Sequence, residues 1–496
     1  HYRGALSGEH GDGRLRAPFL PEQFGQAVYA LLVKTKQVFD PEFRLNPSKI
    51  ISQTPIDQSW RVPVKQIKMA TGFAWQEEDG LGSAIERCNG AGACRQSNGK
   101  MCPSFQATRD DADSTRGRAN VLRFALQSPN PRLALSGEEL QQALARCLGC
   151  KACHVECPAS VDMAKLKSEV RYQTQHKRPL GVAWLYRHYA QLLPLLRWWH
   201  LPIQWLNKGV MAWNQRRESQ GKAWLTRPFP HLASPLTSVK SWWKQQTKQA
   251  STANQIASPV LVLVDPFSQH QHPERVEAVL SVLQTFDANI QPLWMTQSPR
   301  LLFSQGLLDE AKQELARLWQ EIYAFLQANP TGKIVGIEPS ELLVWRDEAL
   351  DLLAKDSALK QHQSAFQLFE EWLADWADTN PDYVWQKLDR PVVVHWHCHQ
   401  KALSNVQKAE QVLRLIAPEV QVVSGGCCGM SGSFGYEQTE LSRQIAQAHF
   451  IPSLQKAQTQ SAYIITNGTS CTQQAKDLVQ VDTVHIAELV WRVVSR

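Results

Sequence analysis

The stretch Cys147–Pro158 reads CLGCKACHVECP. Cys147, Cys150 and Cys153 stand three residues apart, and Cys157 follows four later with Pro158 behind it. This C-x2-C-x2-C-x3-C-P run lets one tight loop wrap three thiolates around a single iron–sulfur cluster, while the proline redirects the chain and carries the fourth cysteine toward a neighbouring site. Four buried thiols without metal are the plain alternative, but cysteines clustered at such intervals are read as metal ligands. A cluster-binding loop is expected here, and the chain on either side is interpreted from it.

Upstream, CNGAGAC supplies Cys88 and Cys94, and Cys102-Pro103 lies eight residues further on. The run from Cys147 has the pattern of bacterial ferredoxins that hold a [4Fe–4S] cubane. In two-cluster ferredoxins the Cys-Pro cysteine of each motif ligates the other motif's cluster. That rule assigns Cys102 to the cubane of Cys147, Cys150 and Cys153, and sends Cys157 back to Cys88 and Cys94. The third ligand of the second site is due near position 91, where Ala91 stands. One complete cubane is expected, beside a site one thiolate short; Cys157 in place of Cys102 is the rival arrangement. Residues 81–170 are read as a helical ferredoxin-type domain.

At 496 residues the chain has length for about three domains. A hydrophobic share of 43% and a charged share of 20% fit a globular protein. The eleven cysteines are odd in number and mostly in metal-ligand spacings, so disulfides are not expected and a reducing cytoplasm is the natural setting. No run of about 18 apolar residues indicates a membrane span. His1 is not preceded by a visible leader.

The opening, HYRGALSGEHGDGRLRAPFLPEQFG, surrounds Glu9-His10 and Asp12 with glycines, so that backbone can approach a ligand closely. A histidine beside carboxylates is a base and metal-ligand set, and a polar turn between strands is the alternative. SGEHGDG, followed by FDPEFRLNPSKII, resembles the end of the FAD-linked oxidase domain of the vanillyl-alcohol-oxidase type, as in D-lactate, glycolate and D-2-hydroxyglutarate dehydrogenases. The resemblance implies that Glu9 holds an active-site divalent metal, that His10 is the base on a 2-hydroxy acid, and that Gly8, His10, Gly11 and Asn46 lie along the FAD site. Residues 1–52 are then the tail of a flavin domain whose body lies upstream.

Residues 53–80, with Pro55 and Pro63, are read as a linker. A helix is expected from about Ser114 and another over Gly137–Ala145. Arg109, Arg116 and Arg118 are candidates to neutralise an anionic cluster, with solvated surface as the alternative for each.

Residues 171–250 carry thirteen Lys/Arg against one acid, Glu218, and eight of the eighteen tryptophans. Apolar residues recur at helical spacing, and Pro194 and Pro202 are expected to break the run. Basic residues among interfacial aromatics suit a helix lying on an anionic membrane surface, here the inner face of the cytoplasmic membrane. Packing on the ferredoxin-type domain is the other reading, and no nucleic-acid recognition motif is present.

After the polar segment 251–258 the chain becomes α/β. PVLVLVD (259–265) and KIVGIEP (333–339) read as strands, answered by PVVVHWHC (391–398), VQVVSGG (420–426) and AYIITNG (462–468). This is an internal repeat. Cys398, Cys427, Cys428 and Cys471 stand at strand ends or in the loops after them, where α/β sheets place binding groups. In the first copy (259–355) the matching positions hold Pro266 and Glu341. The second copy (391–496) resembles the cysteine-rich CCG domain of heterodisulfide reductase and glycolate oxidase iron–sulfur subunits, which implies a second iron–sulfur cluster or zinc. His397 and His399 are alternate ligands or strand-end residues.

The expected architecture is multidomain, α+β and α/β: flavin-oxidase tail, ferredoxin-type domain, basic helical region, tandem CCG-like modules. That order resembles the single-chain bacterial FAD and iron–sulfur oxidoreductases of the D-2-hydroxyglutarate dehydrogenase type. It implies oxidation of a small D-2-hydroxy acid, foremost D-2-hydroxyglutarate with D-lactate or glycolate as alternatives, to the 2-oxo acid, with electrons passing through the clusters to a quinone or a carrier protein, and no nucleic-acid partner. An electron-transfer subunit without substrate chemistry and a scaffold with structural zinc are the alternatives.

Overall fold

The computed structural model describes residues 4–57, 69–96, 101–175, 180–221, 227–236, 238–249, 258–286, 288–423 and 425–495. Pro63, Trp224 and positions 251–257, which figured in the sequence reading, lie outside the described residues. The chain divides into two compact units, His1–Pro63 and Val64–Arg496.

In the first unit the glycine-rich opening has no regular structure, and helix α1 (Gln26–Phe39) follows. The FDPEFRL turn closes on Asp40, whose carboxylate accepts from the backbone of Arg44 and of Leu45 at 2.9 Å each. The Ile50 amide donates to Gly13 O at 2.9 Å, which joins the SKII segment to the glycine loop.

The second unit begins helical. Helix α2 (Thr115–Gln127) starts where expected, because the Ser114 hydroxyl accepts from the Gly117 amide at 2.9 Å. Helix α3 (Ala152–Glu156) lies inside the cysteine run, and α4 (Met163–Gln173) is capped by Asp162. The basic segment forms α5 (Leu180–Leu196) and α6 (His200–Ser219). Pro194 sits inside α5 rather than ending it, and Pro202 falls in the first turn of α6, where a missing N–H costs nothing. The break between them is a 3-10 turn at Arg197–Trp199.

Strand β1 (Pro259–Val264) leads into α7 (Pro266–Gln271) and α8 (Pro273–Thr285), followed by β2 (Asn289–Trp294), β3 (Lys333–Gly336) and β4 (Phe366–Leu368). The second pass gives β5 (Val392–His395), α9 (Cys398–Leu403), β6 (Val420–Val422), β7 (Tyr463–Thr466), α10 (Thr469–Val479) and α11 (Ile486–Val494). The first sheet is parallel in the order β2-β1-β3-β4 and the second parallel in the order β6-β5-β7. Both therefore have their first strand flanked by their second and third. The strands are shorter than the apolar runs that announced them, and β2 and β4 were not anticipated. Pro292 within β2 is tolerated because β2 is an edge strand.

Alternation along the strands decides which core each face joins. Val260, Val262 and Val264 of β1 share a core with Val392 and Val394 of β5, closed by α8 packed on α11. Leu261 and Leu263 face the other way, into a core built with Leu122, Leu144 and Leu166 of the cysteine-bearing helices. Each such side chain contributes roughly 1.5–3 kcal/mol on burial. Val393 of β5 faces a third core, which holds Cys427, Cys428, Cys471 and Leu148. The first sheet thus lies between the ferredoxin-type helices and the second sheet. Among the described residues no helix is long and apolar enough to cross a membrane.

Candidate functional site

The eleven cysteines are all free thiols, and seven of them fall in the ferredoxin-type part of the chain. Cys102 adopts a left-handed backbone (φ 58°) as the cap of Pro103–Thr108, which turns its sulfur inward. Its Sγ lies 3.0 Å from Asp113 O, 3.8 Å from Thr115 Oγ1 and 3.5 Å from Arg118 Nη1. Burial pushes the Cys102 thiol up, and nearby Cys147 and Cys94 push the same way while Arg118 opposes them. Burial likewise raises Cys150 and Cys153, with Cys147 adding to each. Cys102, Cys147, Cys150 and Cys153 therefore share one neighbourhood. Thiolates that repel one another in a dry site are what cationic iron relieves, so the donor set fits a cubane.

Cys94 accepts from the Arg116 amide at 3.4 Å. Cys88 lies in the same core and Cys157 packs half-buried against it, but neither is among the dominant influences on Cys102, Cys150 or Cys153. Of the three candidate arginines, only Arg118 points its guanidinium at sulfur; the Arg116 side chain pairs with Asp111 at 3.0 Å and Arg109 lies over the Phe105 ring.

The second group forms where β5, β7 and the loop after β6 end. Cys427 is held well below the usual thiol range by hydrogen bonds from Cys398 and Cys428, and Cys428 in turn bonds Cys471. His395, Cys428 and Cys471 place their ligand atoms within 4.8 Å of one another, all three buried. Burial drives the His395 imidazole well below its ordinary value, so it is neutral, and its Nδ1 has no hydrogen-bond partner. A neutral imidazole beside converging sulfurs fits a soft-metal centre, whether zinc or iron.

Two glycines beside the cysteines, Gly429 in SGGCCG and Gly468 in NGTSC, are required by space. A Cβ on Gly429 would stand 2.3 Å from Ser442 O, and one on Gly468 would stand 2.4 Å from the His397 ring. Gln474 Nε2 donates to Cys428 O at 2.7 Å, and Arg227, fully buried, donates to Gln474 at 2.5 Å and to Ser442 at 2.6 Å.

His397 and His399 have other tasks. His397 caps α9, accepting from the His399 amide at 3.3 Å, with its Nε2 4.0 Å from Cys398 Sγ. His399 Nε2 lies 3.0 Å from Gly149 O. The reading from residues alone missed His395, although strand alternation carries it to the same face as Val393, toward the cysteines.

The two groups meet at Cys150. After burial, Cys427 is the largest influence on Cys150, and Cys150 in turn acts on Cys398. Leu148 enters the core of the second group, and Ser431 Oγ donates to Leu148 O at 2.6 Å.

The first sheet has acids at the corresponding strand ends. Burial, with Glu338 nearby, pushes Asp265 up to about 6; burial and Asp265 push Glu341 up to about 8. Ser298 donates its hydroxyl to Glu341.

In the separate N-terminal unit Glu9 and His10 are neighbours on an exposed loop, their side chains 3.8 Å apart. Arg16 braces the loop by donating to Gly11 O at 3.1 Å. A Cβ at Gly8 or Gly11 would meet nothing within 4 Å, so the backbone presents a bare edge that a flat ring could approach. Asn46 is exposed with φ 44°.

Residues 1–50 match the family described as FAD linked oxidases, C-terminal domain, and residues 84–161 match the 4Fe-4S dicluster domain. The chain is 27% identical over 549 residues to a D-2-hydroxyglutarate dehydrogenase of Pantoea ananatis, covering 96% of this chain and 50% of the relative. It is 26% identical to enzymes of the same name from Pseudomonas putida (100% of this chain, 52% of the relative) and Escherichia coli (96% and 50%). The chain spans about half the length of these curated relatives. No solved structure matches.

Proposed function

We propose that this chain carries the iron–sulfur centres and the last stretch of the flavin domain of an FAD- and iron–sulfur-dependent dehydrogenase that oxidises a D-2-hydroxy acid, foremost D-2-hydroxyglutarate, to the 2-oxo acid. The observation that carries the reading is the packing of Cys150 against the core that holds Cys427, Cys428 and Cys471, with Ser431 bonded to Leu148 beside it, which brings the two cysteine groups together. Likeness to D-2-hydroxyglutarate dehydrogenases over nearly all of the chain supports the substrate.

When bound, FAD supplies the two-electron acceptor. His10 would take the hydroxyl proton, and Glu9 would hold a divalent metal, which would supply positive charge for the acid's carboxylate. Cys102, Cys147, Cys150 and Cys153 hold one cubane, and Cys398, Cys427, Cys428 and Cys471 hold a further cluster or zinc. The acceptor is a quinone or a carrier protein.

The test uses the full-length protein, reconstituted anaerobically and mixed with D-2-hydroxyglutarate. A reduced-cubane EPR signal should appear with substrate, should be lost in Cys102→Ser and Cys147→Ser, and should survive in Cys88→Ser. His10→Ala should abolish reduction by substrate but not by dithionite. A cubane that dithionite reduces and the hydroxy acid never does would refute the reading.

A peripheral membrane contact is proposed for the basic segment because Trp198, Trp199 and Trp205 are 69%, 63% and 74% exposed amid its lysines and arginines. Basic residues near an anionic surface add about 1 kcal/mol each, an attraction that salt screens. Full-length protein should sediment with phosphatidylglycerol vesicles at low salt and be released at high salt. Sedimentation unchanged when the three tryptophans are replaced by alanine would exclude this face.

A further inference from the structure

The first sheet carries no cysteine, yet its module reaches the cubane loop through charge. Lys151 stands between Cys150 and Cys153 with a left-handed backbone (φ 63°) and is 0% exposed. Its ammonium lies 2.6 Å from Asp162, 2.7 Å from Asp347 and 3.0 Å from Glu348. Asp162 belongs to the ferredoxin-type part, whereas Asp347 and Glu348 come from the first α/β module, nearly two hundred positions along the chain. Arg300, from the same module, donates to the same Glu348 oxygen at 2.8 Å. Its other nitrogen lies 3.1 Å from His399 Nε2, which is also 3.0 Å from Gly149 O, so that this nitrogen either accepts from Arg300 or donates to Gly149 O according to its tautomer. The contacts close a circuit: cubane loop, first module, second module, and back to the cubane loop.

Such a circuit is not explained by stability. Ion pairs taken out of water roughly cancel their own desolvation cost, and apolar replacements of equal volume often serve as well or better. What buried, paired charge does supply is a single arrangement, because a small shift leaves a charge without its partner. The arrangement fixed here is the approach of Cys150 to Cys427 and Cys398.

We propose that the first α/β module, lacking cysteine ligands of its own, is the seat that sets the gap between the two cysteine centres, with Lys151 and Arg300 as its positioning residues. This rests on the two-centre reading given above. The step it governs is the passage of one electron: the first centre is oxidised by one, the second is reduced by one, and no bond or proton moves. Asp347 and Glu348 hold Lys151 from one side, and Arg300 holds His399 from the other.

The test uses full-length protein, reconstituted anaerobically, with iron and sulfide counted and dithionite as electron source. Wild-type protein should show spin–spin interaction between its reduced centres and rapid electron passage from the first to the second. Lys151→Met leaves Asp162 and Asp347 without their cation and threatens folding, so it is paired with Asp347→Asn/Glu348→Gln. Arg300→Met is the independent variant that spares Lys151. In each variant that keeps its iron, the spin interaction should weaken and electron passage should slow by about tenfold, as a small misplacement of reacting groups would cause. Lys151→Arg should restore part of both. In the metal-free protein, backbone hydrogen exchange at 148–153 should rise by about tenfold in the same variants. If wild type shows coupled centres and Arg300→Met shows the same coupling, rate and exchange, the seat is overturned and the two-centre reading stands. A wild type whose second centre is redox-silent, as zinc would make it, would overturn the seat together with the electron route through Cys150, and would leave only a structural metal at the second sheet.

Discussion

The two parallel sheets share a topology and differ in what their strand ends carry. Both place the first strand between the second and third. In the second sheet the ends and following loops bear His395, Cys398, Cys427, Cys428 and Cys471, groups whose neutral or thiolate forms bind soft metals. The matching ends of the first bear Asp265, Pro266, Ser298 and Glu341, with Glu338 close by. Burial acts differently on the two sets: it raises Asp265 to about 6 and Glu341 to about 8, so that Glu341 keeps its proton at neutral pH, while neighbouring thiols hold Cys427 well below the usual thiol range. The same scaffold therefore presents converging thiols with an imidazole, or a cluster of buried acids, according to a handful of side chains, while the valine and leucine faces that pack the sheets go on doing the same work in both.

The largest expected effect tests that contrast directly. Cys471→Ser should empty the second centre of iron or zinc, while Glu341→Ser, at the corresponding end of the first sheet, should leave the metal content unchanged. Metal counting on both variants, with the cubane EPR signal as internal reference, decides it. Equal metal loss in both would mean that the two ends are not chemically distinct.

A smaller effect concerns the proton on Glu341. Its carboxyl is raised from 4.5 to about 8, so between those values the native protein keeps a proton that the unfolded chain has released. Stability should accordingly fall as pH climbs through that window, by about 4 kcal/mol from this group at most. Glu341→Gln should flatten the fall, as read from urea unfolding of the metal-free protein at pH 5 through 8. A slope identical to wild type would show that the acid is not protonated in the fold.

The smallest effect sharpens the comparison at one position. His395→Leu copies Leu263, its counterpart near the end of β1, and should loosen the metal of the second centre by about 10–100-fold in a chelator competition while sparing the cubane. No change would assign His395 to packing against Phe450, whose ring centroid lies 4.7 Å from its own.

Much of this was legible in the residues because the information is local. Cysteine spacing marks a cluster loop wherever it occurs, and the Ser114 cap and the valine runs announce their elements within a few positions. What escaped depends on distant partners. The proline of β2 argued against a strand, and only its place at the sheet edge makes it acceptable. His395 looked like one more polar residue among three histidines until the strand ended on it. Nothing in CLGCKAC marks Lys151 for burial, because the carboxylates that allow it arrive from Asp162, Asp347 and Glu348. The Glu9-His10 loop was visible as a motif, but its exposed position in a separate unit leaves its role to the proposal above.

The bond from Ser431 to Leu148 joins positions 283 residues apart. A ribosome adding about 5–20 residues each second takes roughly a quarter-minute to a minute to cover that distance. Through that interval Cys147, Cys150 and Cys153 have left the exit tunnel while the loop that will cover them has yet to be made. Iron and sulfide delivered then meet open thiols; oxygen arriving then meets them too. Biogenesis of this protein is therefore a race run on the nascent chain, and the late-made C-terminal module is what closes it.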